Sequence, residues 1–349
     1  MLFRAIIAVV ISLPICAACG DDPGAHVAVD PYAHVRGMTV SCQTWGWEWG
    51  SDDMITAMQE LKAMGVNWIA IHPYAGIRQD GTVSSGRMGR EQDGDHPQWL
   101  RRPIEEAHRL GLKIMIKPHI AYWGSGFKWR GEIAFGNDDA AWQNFFETYR
   151  AWILDVATIC HDADAFVVGT ELDQTVRFES EWRAIISDVR NVMPAVPLTY
   201  AANWDQYQQI RFWNDLDVIG IQAYFPLVGH RNTPETDELT TAWQRVLQAI
   251  EHYACEHDRR VVFTELGYNT SSLAAHSPWE SQSGGPHAEM IQERCLSAAL
   301  QSLREPDVVA GAFLWKWFPG SPHGENFLMS TPAMRRVIHR CWGGTDAPH

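Results

Sequence analysis

The chain is short of positive charge. Its 28 Lys and Arg residues face 42 Asp and Glu, a formal net charge of −14. That balance argues against nucleic acid or an anionic lipid surface as the main partner and suits a neutral ligand. No Gly-rich phosphate loop follows the first predicted strand, where "QTWGWEWGSDD" is aromatic and acidic instead, which disfavours a doubly wound nucleotide-binding sheet. No CxxC pair and no Cys/His cluster of zinc type occurs. Beyond Cys19 the cysteines are Cys42, Cys160, Cys255, Cys295 and Cys341, widely spaced and odd in number, so at least one is unpaired. Low-complexity segments and short internal repeats are missing too. The apolar run Ala5–Ile15 is too short to cross a bilayer as a mature helix.

What that run does resemble is the core of a bacterial lipoprotein signal. Arg4 precedes it and two small residues stand before Cys19 in "CAAC". Cleavage before Cys19 would leave that residue to carry the lipid. The expectation is an exported protein, anchored to the cell envelope only through this lipid, or else secreted. On this reading residues 1–18 are the signal, the polar Pro/Gly-rich residues 19–37 a flexible tether, 38–343 the folded unit, and 344–349 a tail.

Within the folded unit, apolar strands alternate with amphipathic segments eight times. The predicted strands are 38–45, 66–74, 112–120, 165–172, 196–204, 217–225, 260–269 and 308–317. Between them the apolar spacing predicts helices, the segment 206–216 being the weakest. Such alternation in one unit predicts an α/β fold, a single (β/α)8 TIM barrel. Long Gly-containing loops at 75–98 and 121–139 would then lie on the C-terminal face of the barrel, where active sites are built.

Two of the predicted strands finish alike. "FVVGTEL" (166–172) closes the fourth and "VVFTEL" (261–266) lies in the seventh, so Glu171 and Glu265 would face one mouth. A carboxylate at the lip of a dry barrel is costly without partners or a task. A pair of them can be held at different proton affinities, one as acid and one as anion. Retaining hydrolysis of a glycoside needs such a pair, about 5–5.5 Å apart.

These strand ends resemble those of clan A glycoside hydrolases, and the chain is most similar to glycoside hydrolase family 113, over about Met38 to Trp342. The resemblance implies a β-mannanase in which Glu171 is the acid/base and Glu265 the nucleophile. It also implies that Tyr224, in "IQAYFP", hydrogen-bonds the nucleophile and that Trp315, in "FLWKW", forms the aromatic floor under the reacting sugar. Most clan members have Asn before the acid/base. Thr170 stands there in this chain, which leaves Asn203 or Lys117 to take the sugar 2-OH, or a different treatment of that position.

Further ligand contacts are expected from the residue types at the strand ends. Lys117 and His119 alternate on one face in "IKPHI", as do His72 and Tyr74 at the second strand. Asn203 and Trp204 close the fifth strand. Trp45, Trp47 and Trp49 would share one side if "TWGWEWG" were extended, and Trp45 is the candidate among them. Seventeen Trp residues give ample flat apolar surface for sugar rings. His72, His119, Glu171 and Glu265 are also the types a metallohydrolase uses, but the first strand, "SCQTW", lacks the usual HxH pair. The expectation is a monomeric glycosidase that needs no cofactor and no metal, acting on a carbohydrate, with β-1,4-mannan the substrate that the resemblance implies. Alternatives are a glycosidase of another β-glycan and a surface lipoprotein that binds carbohydrate without cleaving it.

Overall fold

The computed structural model describes residues 34–85, 97–304 and 308–343. The expected signal segment, Cys19, most of the expected tether and the expected tail lie outside the described residues. Eleven strands occur among the described residues: β1 (Val35–Val40), β2 (Trp68–Ile71), β3 (Tyr74–Ile77), β4 (Val83–Ser84), β5 (Lys113–Ile116), β6 (His119–Ala121), β7 (Ala165–Thr170), β8 (Leu198–Asn203), β9 (Ile219–Gln222), β10 (Val261–Leu266) and β11 (Val309–Trp317). Eight of them close a parallel barrel in the order β1-β11-β10-β9-β8-β7-β5-β2. The α-helices are α1 (Asp52–Ala63), α2 (Gln98–Arg109), α3 (Asp139–Ile159), α4 (Glu179–Val192), α5 (Thr236–His257), α6 (Ala288–Ser302) and α7 (Pro332–Trp342). The fold is the expected single (β/α)8 barrel.

The barrel strands are buried on both faces, which is why they read as nearly unbroken apolar runs. Two apolar layers result. Val35, Trp68, Ala70, Met115, Ala165, Val167, Ala201, Val218, Val262, Ala310 and Phe313 form one cluster, with Trp68 and Phe313 meeting edge to face at 5.9 Å. The alternate strand residues join the larger layer beneath the helices. There Trp182 of α4 stacks on Phe212 at 5.7 Å. A Cβ on Gly169 would stand 2.5 Å from the Trp182 ring, so only glycine lets α4 seat this close beside the end of β7.

Several elements differ from the sequence reading. β1 begins at Val35, where it pairs with Gly311, so Val35–Gly37 belong to the barrel and not to the tether, and 41–45 lie beyond the strand. The second and third predicted strands are each broken at a proline. Pro73 and Pro118 have no N–H to give to a ladder, so β2 and β5 stop before them. The chain then resumes as β3 and β6, which pair with each other and with β4 in a small sheet of order β4-β3-β6. Residues 206–216 form no α-helix. Short 3-10 turns at Tyr207–Gln209 and Trp213–Asp215 take its place, burying Tyr207, Ile210, Phe212, Trp213 and Leu216 at a spacing no single α-helical face provides.

Candidate active site

Glu171 follows β7 directly and has φ of 53°. For a non-glycine residue this left-handed backbone costs about 1–2 kcal/mol, so its surroundings must impose it. They do so from both sides. The Glu171 N–H donates to the Ala201 carbonyl at 2.9 Å, and the Leu172 N–H donates to the Tyr200 hydroxyl at 2.9 Å. The Glu171 side chain then meets Arg130, whose Nη1 donates to Oε2 at 2.7 Å. Arg130 comes from the long loop after β6 and is itself tethered by Nε to the Ile120 carbonyl at 3.2 Å. Burial pushes the Glu171 carboxyl above its ordinary proton affinity, and the Glu265 charge adds to this. Arg130 and Lys117 pull the other way and do not cancel it.

Glu265 lies within β10. Strict alternation would give it the same face as Phe263, in the layer under the helices. The register of β10 against β9 shifts between Phe263 and Glu265, and this irregularity re-aims the carboxylate into the mouth. One oxygen pairs with Lys117 Nζ, and the other accepts from the Tyr224 hydroxyl at 2.7 Å. Lys117 also donates to the Thr264 carbonyl at 3.1 Å and is wholly buried. Burial pulls the Lys117 ammonium below its usual affinity, against the opposing pull of Glu265. Burial likewise lifts Tyr224 well above the ordinary phenol range, so it remains a donor.

Rings surround the two carboxylates. His72 stacks on His119 at 4.9 Å, and Trp315 lies 5.3 Å from His72 and 6.0 Å from His119. Lys117 Nζ is 5.0 Å from the Trp315 ring centre. Tyr74 stands edge-on to both imidazoles, at 5.1 and 6.0 Å, and Trp45 packs edge-on to Tyr74 at 6.2 Å. Burial and the neighbouring cations hold His72 and His119 well below the usual imidazole range, so both are neutral at pH 7. Neither ring nitrogen of either histidine has a hydrogen-bond partner within the protein. His119 Nε2 stands 3.8 Å from Glu265.

Most of the sequence-predicted residues therefore meet at one place: Glu171, Glu265, Lys117, His72, His119, Tyr224, Trp315 and Trp45. Other polar groups expected to meet the sugar are engaged within the protein. Lys117 is spent on Glu265, and Asn203 donates to both oxygens of Asp173, at 3.1 and 2.9 Å. Burial pushes Asp173 up to about 8. The Thr170 hydroxyl is committed to the Pro118 carbonyl at 3.0 Å. Trp204 stacks on Trp279. The three alternating Trp do not share a side, because Trp47–Gly50 winds into a 3-10 turn. Trp47 is exposed, while Trp49 is buried and donates to the Val40 carbonyl at 2.9 Å.

Sequence reasoning missed Arg130, Asp173 and Trp279. "TELD" offered a second acid beside Glu171, but Arg130 sits in a loop whose folding no periodicity reveals. Among the described residues no group of three or more His, Cys, Asp or Glu side chains is placed to hold a metal ion. No disulfide joins the five described cysteines, and Cys160 and Cys295 are buried as small apolar groups.

A closed (β/α)8 barrel with two carboxylates at its C-terminal lip, set among aromatic rings, has the architecture of a glycoside hydrolase. The sequence profile of Glycoside Hydrolase Family 113 matches residues 38–324. The chain belongs to Glycoside Hydrolase Family 113, and is a glycoside hydrolase. Among solved structures it is similar to the GH113 β-mannanase AaManA from Alicyclobacillus acidocaldarius in complex with ManMIm. The two are 23% identical with a TM-score of 0.76, covering 90% of this chain and 99% of that one. A second GH113 β-1,4-mannanase is 22% identical with a TM-score of 0.75, covering 89% and 99%. A Glycoside Hydrolase Family 5 mannosidase from Rhizomucor miehei shares the fold at 12% identity and a TM-score of 0.56, covering 88% and 92%. No curated protein matches the sequence.

Proposed function

We propose that the protein is a retaining β-mannanase that cleaves β-1,4-mannan by double displacement. Glu265 attacks the anomeric carbon while Glu171 gives its proton to the departing glycosidic oxygen. A glycosyl-enzyme ester on Glu265 results. Glu171, now ionised, takes a proton from water, which attacks the same carbon and releases the sugar with its original configuration.

The observation that carries this reading is the unequal treatment of the two carboxylates. Glu265 is held by a buried ammonium on one oxygen and a phenol hydroxyl on the other, donors that fix the carboxylate in place for attack. Glu171 has its proton affinity raised by burial, as an acid requires. Its Arg130 partner favours the ionised form needed in the second step. Trp315 would lie under the reacting ring, with His72 and His119 offering neutral imidazole nitrogens to its hydroxyls. Mannan as the substrate is supported by the family and by the β-mannanases that share the fold.

The test is reducing-sugar release from mannan, glucomannan, cellulose, xylan and laminarin, with Glu265→Gln as control. Release from mannan that disappears in the control is expected. Release confined to another polymer refutes mannan and keeps the two-carboxylate chemistry, whereas full activity of Glu265→Gln refutes the assignment of the nucleophile. Export with a lipid on Cys19 belongs to the same proposal. Radiolabelled palmitate should enter the full chain and not a Cys19→Ala variant.

A further inference from the structure

Among the described residues the exposed large hydrophobic side chains are Trp47, Trp123 and Trp279, and all three stand in loops beyond the C-terminal ends of barrel strands. Trp279 differs from an incidental surface residue in two ways. Its indole is stacked parallel to Trp204, with centroids 5.5 Å apart and planes 15° apart, and Phe225 supports Trp204 edge-on at 6.0 Å. One face of Trp279 is therefore backed by a rigid ring while the residue remains 46% exposed. Its loop is also pinned to the site. Buried Asn269, four residues past Glu265, donates to the Ser281 carbonyl at 2.9 Å, and its Oδ1 accepts from Ser283 Oγ at 3.1 Å and Phe327 N at 3.2 Å. The Phe327 ring meets Tyr224, the Glu265 partner, at 6.0 Å.

The platform is linked to the Glu171 strand end through its Trp204 half. Trp204 follows Asn203, which holds Asp173, and the Asp173 and Glu171 charges act on one another. A flat indole with one open face suits the apolar C–H face of a pyranose ring, and its fixed geometry leaves little ordering cost on binding. We infer that Trp279, braced by Trp204, is a stacking subsite for a hexopyranose unit of the glycan on the leaving-group side of the scissile bond. This rests on the proposed roles of Glu171 and Glu265. The subsite engages the part of the chain towards its reducing end, so it favours cleavage with more than one sugar beyond the scissile bond.

The test compares wild type, Trp279→Ala and Trp279→Tyr on mannohexaose labelled at its reducing end, with thermal melts to confirm folding. Trp279→Ala should lower kcat/KM on mannohexaose roughly ten-fold. Its cleavage should shift towards release of single labelled units, and Trp279→Tyr should recover most of the loss. An unchanged rate and product pattern in Trp279→Ala, or a shift towards the non-reducing end, overturns the inference. If the wild type cleaves no mannan at all, the substrate reading has failed by itself. Calorimetric titration of mannohexaose into Glu265→Gln, with and without Trp279→Ala, then decides the subsite: weaker binding supports it and equal binding refutes it.

Discussion

Replacing Arg130 with Met removes the guanidinium 2.7 Å from Glu171 Oε2 and keeps much of the side-chain volume. Both partners are largely buried, their side chains 12% and 14% exposed. Two unit charges about 4 Å apart at an effective dielectric of about 20 interact by about 4 kcal/mol, equivalent to about 3 pH units at 1.36 kcal/mol each. That is a ceiling, and an opposite charge at this range usually moves a carboxyl by about 1–3 units. The sign is fixed by the pair. Arg130 favours the anion, so without it the Glu171 proton, already raised by burial, is held to still higher pH. If Glu171 is the acid, the alkaline limb of kcat/KM should move up by about 1–3 pH units. The second step, which needs Glu171 ionised, should slow at neutral pH, so a glycosyl-enzyme should accumulate with an activated aryl mannoside. Arg130→Lys should move the limb far less. The assay is a pH series of initial rates on soluble substrate. An alkaline limb that stays put or falls in Arg130→Met would rule out Glu171 as the acid under the control of Arg130.

Two further outcomes concern the buried charges. Lys117→Met leaves the Glu265 carboxylate without its buried cation, and removing one partner of such a pair costs about 3–5 kcal/mol. Urea unfolding should show that loss at pH 7, and a loss below about 1 kcal/mol would refute a paired, buried Lys117. Asp173 is raised from 3.8 to about 8. The folded state therefore binds this proton more tightly than the unfolded chain, and stability falls as pH rises between those values. Asp173→Asn keeps an acceptor for Asn203 and removes the titration. Its melting temperature should decline less than wild type between pH 5 and pH 9, and parallel declines would contradict the burial of that carboxyl.

How much of this was legible in the sequence follows from what each feature depends on. Strands buried on both faces appear as continuous apolar runs whatever their neighbours, so all eight barrel strands are legible, and with them the strand-end positions of Glu171 and Glu265. The breaks at Pro73 and Pro118 were missed because the runs continue in composition across residues that cannot give an N–H to the ladder. The protein partners of Lys117 and Asn203 leave no trace in the sequence for another reason. Each is a strand-end polar group whose company is set by side chains from other strands, Glu265 from β10 and Asp173 from the turn after β7. Arg130 and Trp279 are further removed. Both are placed by loops held through side-chain hydrogen bonds, such as Arg130 Nε to Ile120 and Asn269 to Ser281, which have no periodic signature.

Double displacement with Glu265 as nucleophile fixes the configuration of the product, which proton NMR of the newly formed anomeric centre reads during the first minutes of mannohexaose cleavage. Double displacement gives the β-anomer first and the α-anomer only later, by mutarotation. Initial appearance of the α-anomer would mean single displacement by water, and would contradict it.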